Sequence, residues 1–377
     1  MSCTEQVFPY GATSADLQGL QVVALPHQTF HEFFLTAVPI MGETPEELFR
    51  KTDEAVGKRR ARIVSMEIFG IAGSEAAALR KVFGKIDFPV TWLEEGCEQS
   101  SPLCGLQVWA VAGLPVEPLR VGGRVLGSVF EVEGLRFCRL GGLLPADISR
   151  SRTEQTESVF DLMQTALRAA GMEFRHVART WFYNFEMLEW YDEFNKVRTT
   201  FFKEHGVFDG LVPASTGIGG RNAAGAALTA GLVAIESADG ALPAVVVPSP
   251  LQCPAPSYGS SFSRAVELDT PGYHRLLISG TASIAPEGHS VHIGDVDAQT
   301  RLTFKVAEAI LASRAMGWGD VTRLIAYFKY RDDVSAFDRG RAALGIPEMP
   351  VLFTANDICR DDLLFEIELD ASVQTEG

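Results

Sequence analysis

No stretch of the chain strings together the roughly 18–20 apolar residues that a bilayer span requires. The opening residues, Met1-Ser-Cys-Thr-Glu-Gln, offer neither a basic start nor an apolar core for a secretory signal. The expectation is a soluble, cytoplasmic protein with no membrane partner. Basic residues are scarce too: 33 lysines and arginines against 48 aspartates and glutamates leave a net charge of −15. Without a basic stripe to displace counterions, nucleic acid drops out as a partner. Cysteine is sparse and scattered, at Cys3, Cys97, Cys104, Cys138, Cys253 and Cys359, with no CxxC spacing. That argues against a zinc or dithiol centre and fits reduced thiols.

What the chain does have is length and apolar content. Its 377 residues, 46% of them apolar, are enough for two or three core units. One unit repeats. In the last third, a strand at 276–280 precedes a helix at 299–315, a strand at 321–330, a helix at 334–343 and strands at 349–354 and 363–369. The helical spacing shows at Leu302, Val306, Ala309 and Ile310. The middle third runs in the same order: strand 140–144, helix 156–170, strand 177–183, helix 189–205 and closing strand 228–236. Gln155 to Gln299 and Val177 to Val321 keep one offset of 144 residues. A diverged copy precedes them, with helix 44–57, strand 62–69, helix 74–84 and strands at 89–93 and 106–111. Units at 1–120, 121–250 and 251–377 follow, with Gly- and Pro-rich linkers at 113–123 and 243–263. Alternating strands and helices give an α/β (α+β) fold with helices on one face of each sheet.

Side-chain alternation singles out Glu366. Phe365, Ile367 and Leu369 share one face of the last strand, so Glu366 and Glu368 share the other. A carboxyl on the inner side of a ring of units is desolvated, which raises its pKa and suits a general acid. The same strands place Ala234 of the middle copy at the position of Glu366. Arginines that could converge on an anionic ligand are Arg179, on one strand face with Trp181 and Tyr183, and Arg198, two helical turns after Tyr191. Arg221 and Arg360 are further options. Gly217-Ile-Gly-Gly lacks the Lys-Ser/Thr of a phosphate loop. His289, His292 and Asp295 read as loop-stabilising groups, with no further ligand set to hold a metal.

The C-terminal unit resembles the RidA/YjgF family. The match rests on Ser279-Gly280, Gln299-Thr300, the Gly-Trp-Gly-Asp-Val turn at 317–321 and Glu366-Ile-Glu368. RidA-type proteins form trimers, so three tandem units imply a pseudo-trimer within one chain, of the kind also called chorismate mutase-like. A narrower resemblance is to the chorismatases. It is carried by Leu277-Ile-Ser-Gly-Thr-Ala-Ser-Ile284, Asp357-Ile-Cys-Arg360, Leu363-Leu-Phe-Glu-Ile-Glu368, Arg179-Thr-Trp-Phe-Tyr183 and Pro213-Ala-Ser-Thr-Gly-Ile-Gly219. It implies a cofactor-independent enzyme, monomeric as a pseudo-trimer, that cleaves the enolpyruvyl ether of chorismate. Glu366 would be the catalytic acid, and Cys359 a residue that influences the ring product. Arg179, Tyr183, Tyr191, Arg198, Thr216, Gly280, Ala282 and Arg360 would contact the substrate. Two alternatives stand beside it: a RidA-like enamine/imine deaminase and a non-catalytic small-ligand-binding ring. The deaminases place an arginine just before the closing strand; here that stretch, Pro350-Val-Leu-Phe-Thr-Ala-Asn356, has none. The segment 184–191 departs from the chorismatase pattern.

Overall fold

The computed structural model describes residues 5–7, 13–15, 18–73, 75–94 and 102–375. Cys3 and Cys97 lie outside them. The first unit contains β1 (Glu5–Val7), β2 (Thr13–Ala15), β3 (Leu20–Pro26), β4 (His31–Ala37), α1 (Pro45–Lys58), β5 (Arg62–Gly70), α2 (Glu75–Phe83), β6 (Val90–Leu93) and β7 (Leu103–Ala112). The second contains β8 (Glu117–Val121), β9 (Arg124–Val132), β10 (Leu135–Leu143), α3 (Arg152–Ala169), β11 (Val177–Asn184), α4 (Met187–Glu204), β12 (Ala214–Gly219) and β13 (Leu228–Ser237). The third contains β14 (Ala244–Val247), β15 (Ala265–Thr270), β16 (Tyr273–Ala282), α5 (Val296–Ala312), β17 (Val321–Phe328), α6 (Ser335–Leu344), β18 (Val351–Ala355) and β19 (Phe365–Gln374).

Each unit builds its own sheet, and the strand orders superpose: β3-β4-β7-β5-β6, then β9-β10-β13-β11-β12 read outward, then β15-β16-β19-β17-β18. The expected three-unit α/β architecture is therefore the observed one. Two details differ. The stretch Ala214–Gly219, assigned to no strand or helix from the sequence, is strand β12, parallel to β11. β14 falls before the expected boundary at 250 but pairs with β15 of the third sheet.

Helix periodicity explains how each unit closes. α3 turns Val159, Phe160, Met163, Ala166 and Leu167 onto its sheet, and α5 does the same with Phe304, Ala307, Ile310 and Leu311. The α1 and α3 starts are fixed by capping boxes, Thr44 with Glu47 and Ser151 with Glu154. With one face of each sheet covered by helices, the other three faces meet around a common pseudo-axis. There Phe30, Val64 and Val111 of the first unit pack with Phe130, Phe137 and Ala178 of the second and Val266 and Leu277 of the third. Buried ion pairs also meet there: Arg139 with Glu67 at 2.5 Å, and Arg275 with Glu32. Deleting one partner of such a pair strands a charge in the interior, at a cost of roughly 3–5 kcal/mol.

Strand pairing corrects the expected repeat alignment. Tyr327 pairs with Glu366, and its counterpart Tyr183 pairs with Thr229. The middle copy therefore carries Thr229, not Ala234, at the position of Glu366, because the connection between the paired strands differs in length between the two copies.

Candidate active site

A cleft of about 600 Å³ opens between the second and third units. One wall is the face of α4 that carries Tyr191, Asn195 and Arg198, placed together by their three- and four-residue spacing. The floor is Ser215 and Gly217 of β12 with Gly280 and Ala282 of β16. The far wall is Cys359, Arg360 and Leu363 from the segment before β19, and Glu366 on β19 itself.

Two glycines shape this floor. A Cβ on Gly280 would overlap Glu366 Oε1 and stand 3.1 Å from its Cδ, so only glycine lets the carboxyl lie flat across the bulge in β16. A Cβ on Gly217 would come within 2.8 Å of Tyr191 Oη, so the bare backbone lets that phenol lie across β12.

Glu366 is 4% exposed. Burial, and then the negative charge of Glu368 two residues on, raise its pKa to about 8 against the opposing pull of Arg264 and Arg179. It is therefore protonated at neutral pH. Glu368 is the reverse. Burial pushes it up, but Arg323, Arg179 and the Thr216 hydroxyl outweigh that and hold it at about 2. Its oxygens accept from Arg179 Nη2 at 2.8 Å, Arg323 Nη2 at 2.5 Å and Trp181 Nε1 at 2.8 Å. Burial, then the nearby Glu366, push the Cys359 thiol up to about 12. It is a neutral thiol, not a thiolate nucleophile.

Of the residues expected in the site, Glu366, Cys359, Tyr191, Arg198, Gly280, Ala282 and Arg360 line the cleft together. Arg179 and Thr216 lie one layer behind it. Arg179 is fully buried and gives Nη2 to both Glu368 and Thr216 Oγ1, each at 2.8 Å, so it anchors a carboxylate of the protein rather than one of a ligand. Tyr183 lies away from the cleft, packed edge-on against Phe69 of the first unit. Arg221 pairs with Glu94 at 3.7 Å at the junction of the first two units.

The residue that sequence reasoning missed is Arg264. It reaches the cleft from the connector between β14 and β15, where no periodicity marks it, and it donates Nε to the Cys253 carbonyl at 3.1 Å. Phe262 lies beside both Arg264 and Arg198. The connector is held down by Gln252, which donates to the Ala282 and Ile284 carbonyls, and by Thr199 bonded to Ser261 at 2.8 Å. Asp295, one of the loop groups considered for a metal, caps α5 through the Ala298 N–H. Reduced cysteines were expected throughout. Cys138, Cys253 and Cys359 are free, but Cys104 is disulfide-bonded.

The arrangement is a buried, protonated carboxyl facing a cleft in which Arg198, Arg264 and Arg360 gather, within a protein of net charge −15. That combination suits proton donation to a bound anion. By fold the chain is a single-chain pseudo-trimer with an acid-bearing cleft between its second and third units.

No family model matches the chain. Among curated proteins it is related to the chorismatases: it is 31% identical over 236 residues to "Chorismatase" of Streptomyces rapamycinicus, a match covering 56% of this chain and 66% of that protein. It is 28% identical over 244 residues to "3-hydroxybenzoate synthase" of Streptomyces hygroscopicus, covering 57% of this chain and 68% of that protein. The matches thus span about two thirds of each relative's length. A chorismatase crystal structure shares the fold, with a TM-score of 0.62 at 20% identity over 92% of this chain and 99% of that one. The YjgF gene product of E. coli matches over 34% of this chain and 97% of its own, with a TM-score of 0.28 at 18% identity.

Proposed function

We propose that the chain cleaves the enolpyruvyl ether of chorismate and releases pyruvate, with Glu366 as general acid. The observation that carries this reading is the protonated Glu366 facing a cleft that gathers three arginines, as a dicarboxylate enol ether requires. Two relatives whose names are "Chorismatase" and "3-hydroxybenzoate synthase" support it.

Chemically, an enol ether is protonated on its methylene carbon, which leaves an oxocarbenium centre at the ether carbon. Glu366 supplies that proton and becomes a carboxylate. Water adding to the cation gives a hemiketal that collapses to pyruvate and a dihydroxycyclohexadienoate, consuming one water. Attack by the ring hydroxyl instead leads to pyruvate and a hydroxybenzoate with no net water. Arg198, Arg264 and Arg360 hold the two carboxylates, and Tyr191 lies along the ring. Cys359, a neutral thiol beside the acid, fills the wall where the ring stands and so influences which nucleophile reaches the cation. The residues supply acid, charge and shape, and the proton transfer calls on no organic cofactor.

The test is pyruvate release from chorismate, followed by coupled reduction with lactate dehydrogenase, with the aromatic co-product resolved by chromatography. Glu366→Gln is expected to lower kcat by about 10²–10⁴-fold while the fold persists, since one positioned acid contributes on that order. Wild-type activity in that variant, or no pyruvate from the parent, removes the reading. Ammonia release from an imine would revive the deaminase.

A further inference from the structure

Behind Glu366 lies a second layer that the reaction as written does not use. Arg179 gives only Nη2 to Glu368 and Thr216; its Nε and Nη1 are buried without hydrogen-bond partners. Buried donors in that state are costly to keep, as fits groups held ready for a charge that comes and goes. Thr216 stands between the two sites. Its hydroxyl holds Arg179, while its methyl is 3.5 Å from the point where a Cβ on Gly280 would meet Glu366.

The groups that face Glu366 come from every neighbouring element. Glu368 is on its own strand. Arg179 comes from β11 and Tyr327, its cross-strand partner, from β17. Arg264 arrives from the connector, and Cys359 and Arg360 from the segment before β19. Arg198, Lys196 and Lys203 face it across the cleft from α4. Negative charge comes from Glu368 behind it and from Asp192 of α4 across the cleft, and the cations that act on Glu366 are Arg264 on the ligand side and Arg179, buried on the protein side.

We propose that Glu368 and Arg179 are opposed positioning residues for Glu366: Glu368 keeps the proton in place between turnovers, and Arg179 receives the charge left when it departs. In that step the O–H bond of Glu366 breaks, the proton passes to substrate carbon, and the new carboxylate lies in the field of the Arg179 guanidinium. The inference rests on the assignment of Glu366 as acid. Its test, however, runs without substrate.

The experiment is a pH titration of the Glu366 carboxyl by NMR in protein labelled with ¹³C at glutamate carboxyls, the resonance being the one missing from Glu366→Gln. Glu368→Gln is expected to lower the midpoint by about one pH unit or more, and Arg179→Gln to raise it by a similar amount. Arg179→Lys, which keeps the charge, should leave the midpoint within about half a unit of wild type. In turnover, Arg179→Gln should lower kcat about tenfold or more with little change in KM. Coincident midpoints in folded Glu368→Gln, Arg179→Gln and wild type would overturn the proposal. If Glu368→Gln does not fold, the contrast between Arg179→Gln and Arg179→Lys decides alone. Shifted midpoints without pyruvate release would uphold the tuning pair and sink the reaction assigned above; pyruvate release with unmoved midpoints would do the opposite.

Discussion

Glu366 and Glu368 stand two residues apart on one face of β19, and their surroundings drive them to opposite states of ionisation. Both are buried, so desolvation raises both. What differs is the company: Arg323, Arg179, Thr216 and Trp181 bond Glu368, while Glu366 has Glu368 itself as neighbour. The sign for stability follows. The folded protein keeps a proton on Glu366 up to about pH 8, whereas the unfolded chain releases it near the ordinary value of 4.5. This group's contribution to stability is therefore full below about pH 4.5 and declines as pH rises toward 8. Glu368 acts in the other sense: its contribution is present above 4.5 and is lost as pH falls toward 2. Urea midpoints measured between about pH 5 and pH 8 should fall for the wild type and stay flatter for Glu366→Gln. Parallel slopes would mean that Glu366 titrates normally. The same ionisation sets the rate: kcat should fall above about pH 8, where the acid has lost its proton.

At the scale of elements, β12 and α4 meet so closely over Gly217 that a methyl would touch Tyr191 Oη. Gly217→Ala should raise KM several-fold by turning the phenol out of the cleft. The melting temperature should shift by only a few degrees, because an overpacked contact costs about 1–3 kcal/mol and a side-chain end yields first. A large loss of stability with unchanged KM would contradict it. Elements were also where the sequence spoke most clearly. The helices α3, α5 and α6 follow from the 3.6-residue pattern that burial imposes directly, and strands β11 and β17, buried along their whole length, from short runs bounded by turns. β12 escaped because Ala-Ser-Thr-Gly-Ile-Gly has turn-like composition; its glycines serve close approach to Tyr191 and Asp357 rather than a turn. The same limit applies to the site. Glu366, Tyr191 and Arg198 were visible because alternation and helical spacing aim side chains. Arg179 was visible as a charge but not in its role, since the carboxylate it serves is 189 residues away. Arg264 sits in a connector, where no period exists to aim it.

For the whole molecule, three units closed around one axis make three junctions, and these have diverged. The position of Glu366 is held by Thr229 in the second unit and Gly105 in the first. Gly105 lies hard against Leu352 of the third unit: a Cβ there would stand 3.2 Å from Leu352 Cδ1. Thr91, at the place of Thr216, accepts from the Gly142 N–H through its Oγ1 at 2.9 Å. A symmetric trimer of identical chains must repeat any acid, and any cost of burying it, three times over. Here the carboxyl is kept once, and the other two junctions are free to become packing. Isothermal titration with a tight, unreactive dicarboxylate mimic should therefore give one ligand per chain and a simple hyperbolic isotherm; two or three equivalents would restore function to the junctions now occupied by Thr229 and Gly105. Fusion has changed the arithmetic of the protein: by this count, a concentration of chains is a concentration of sites.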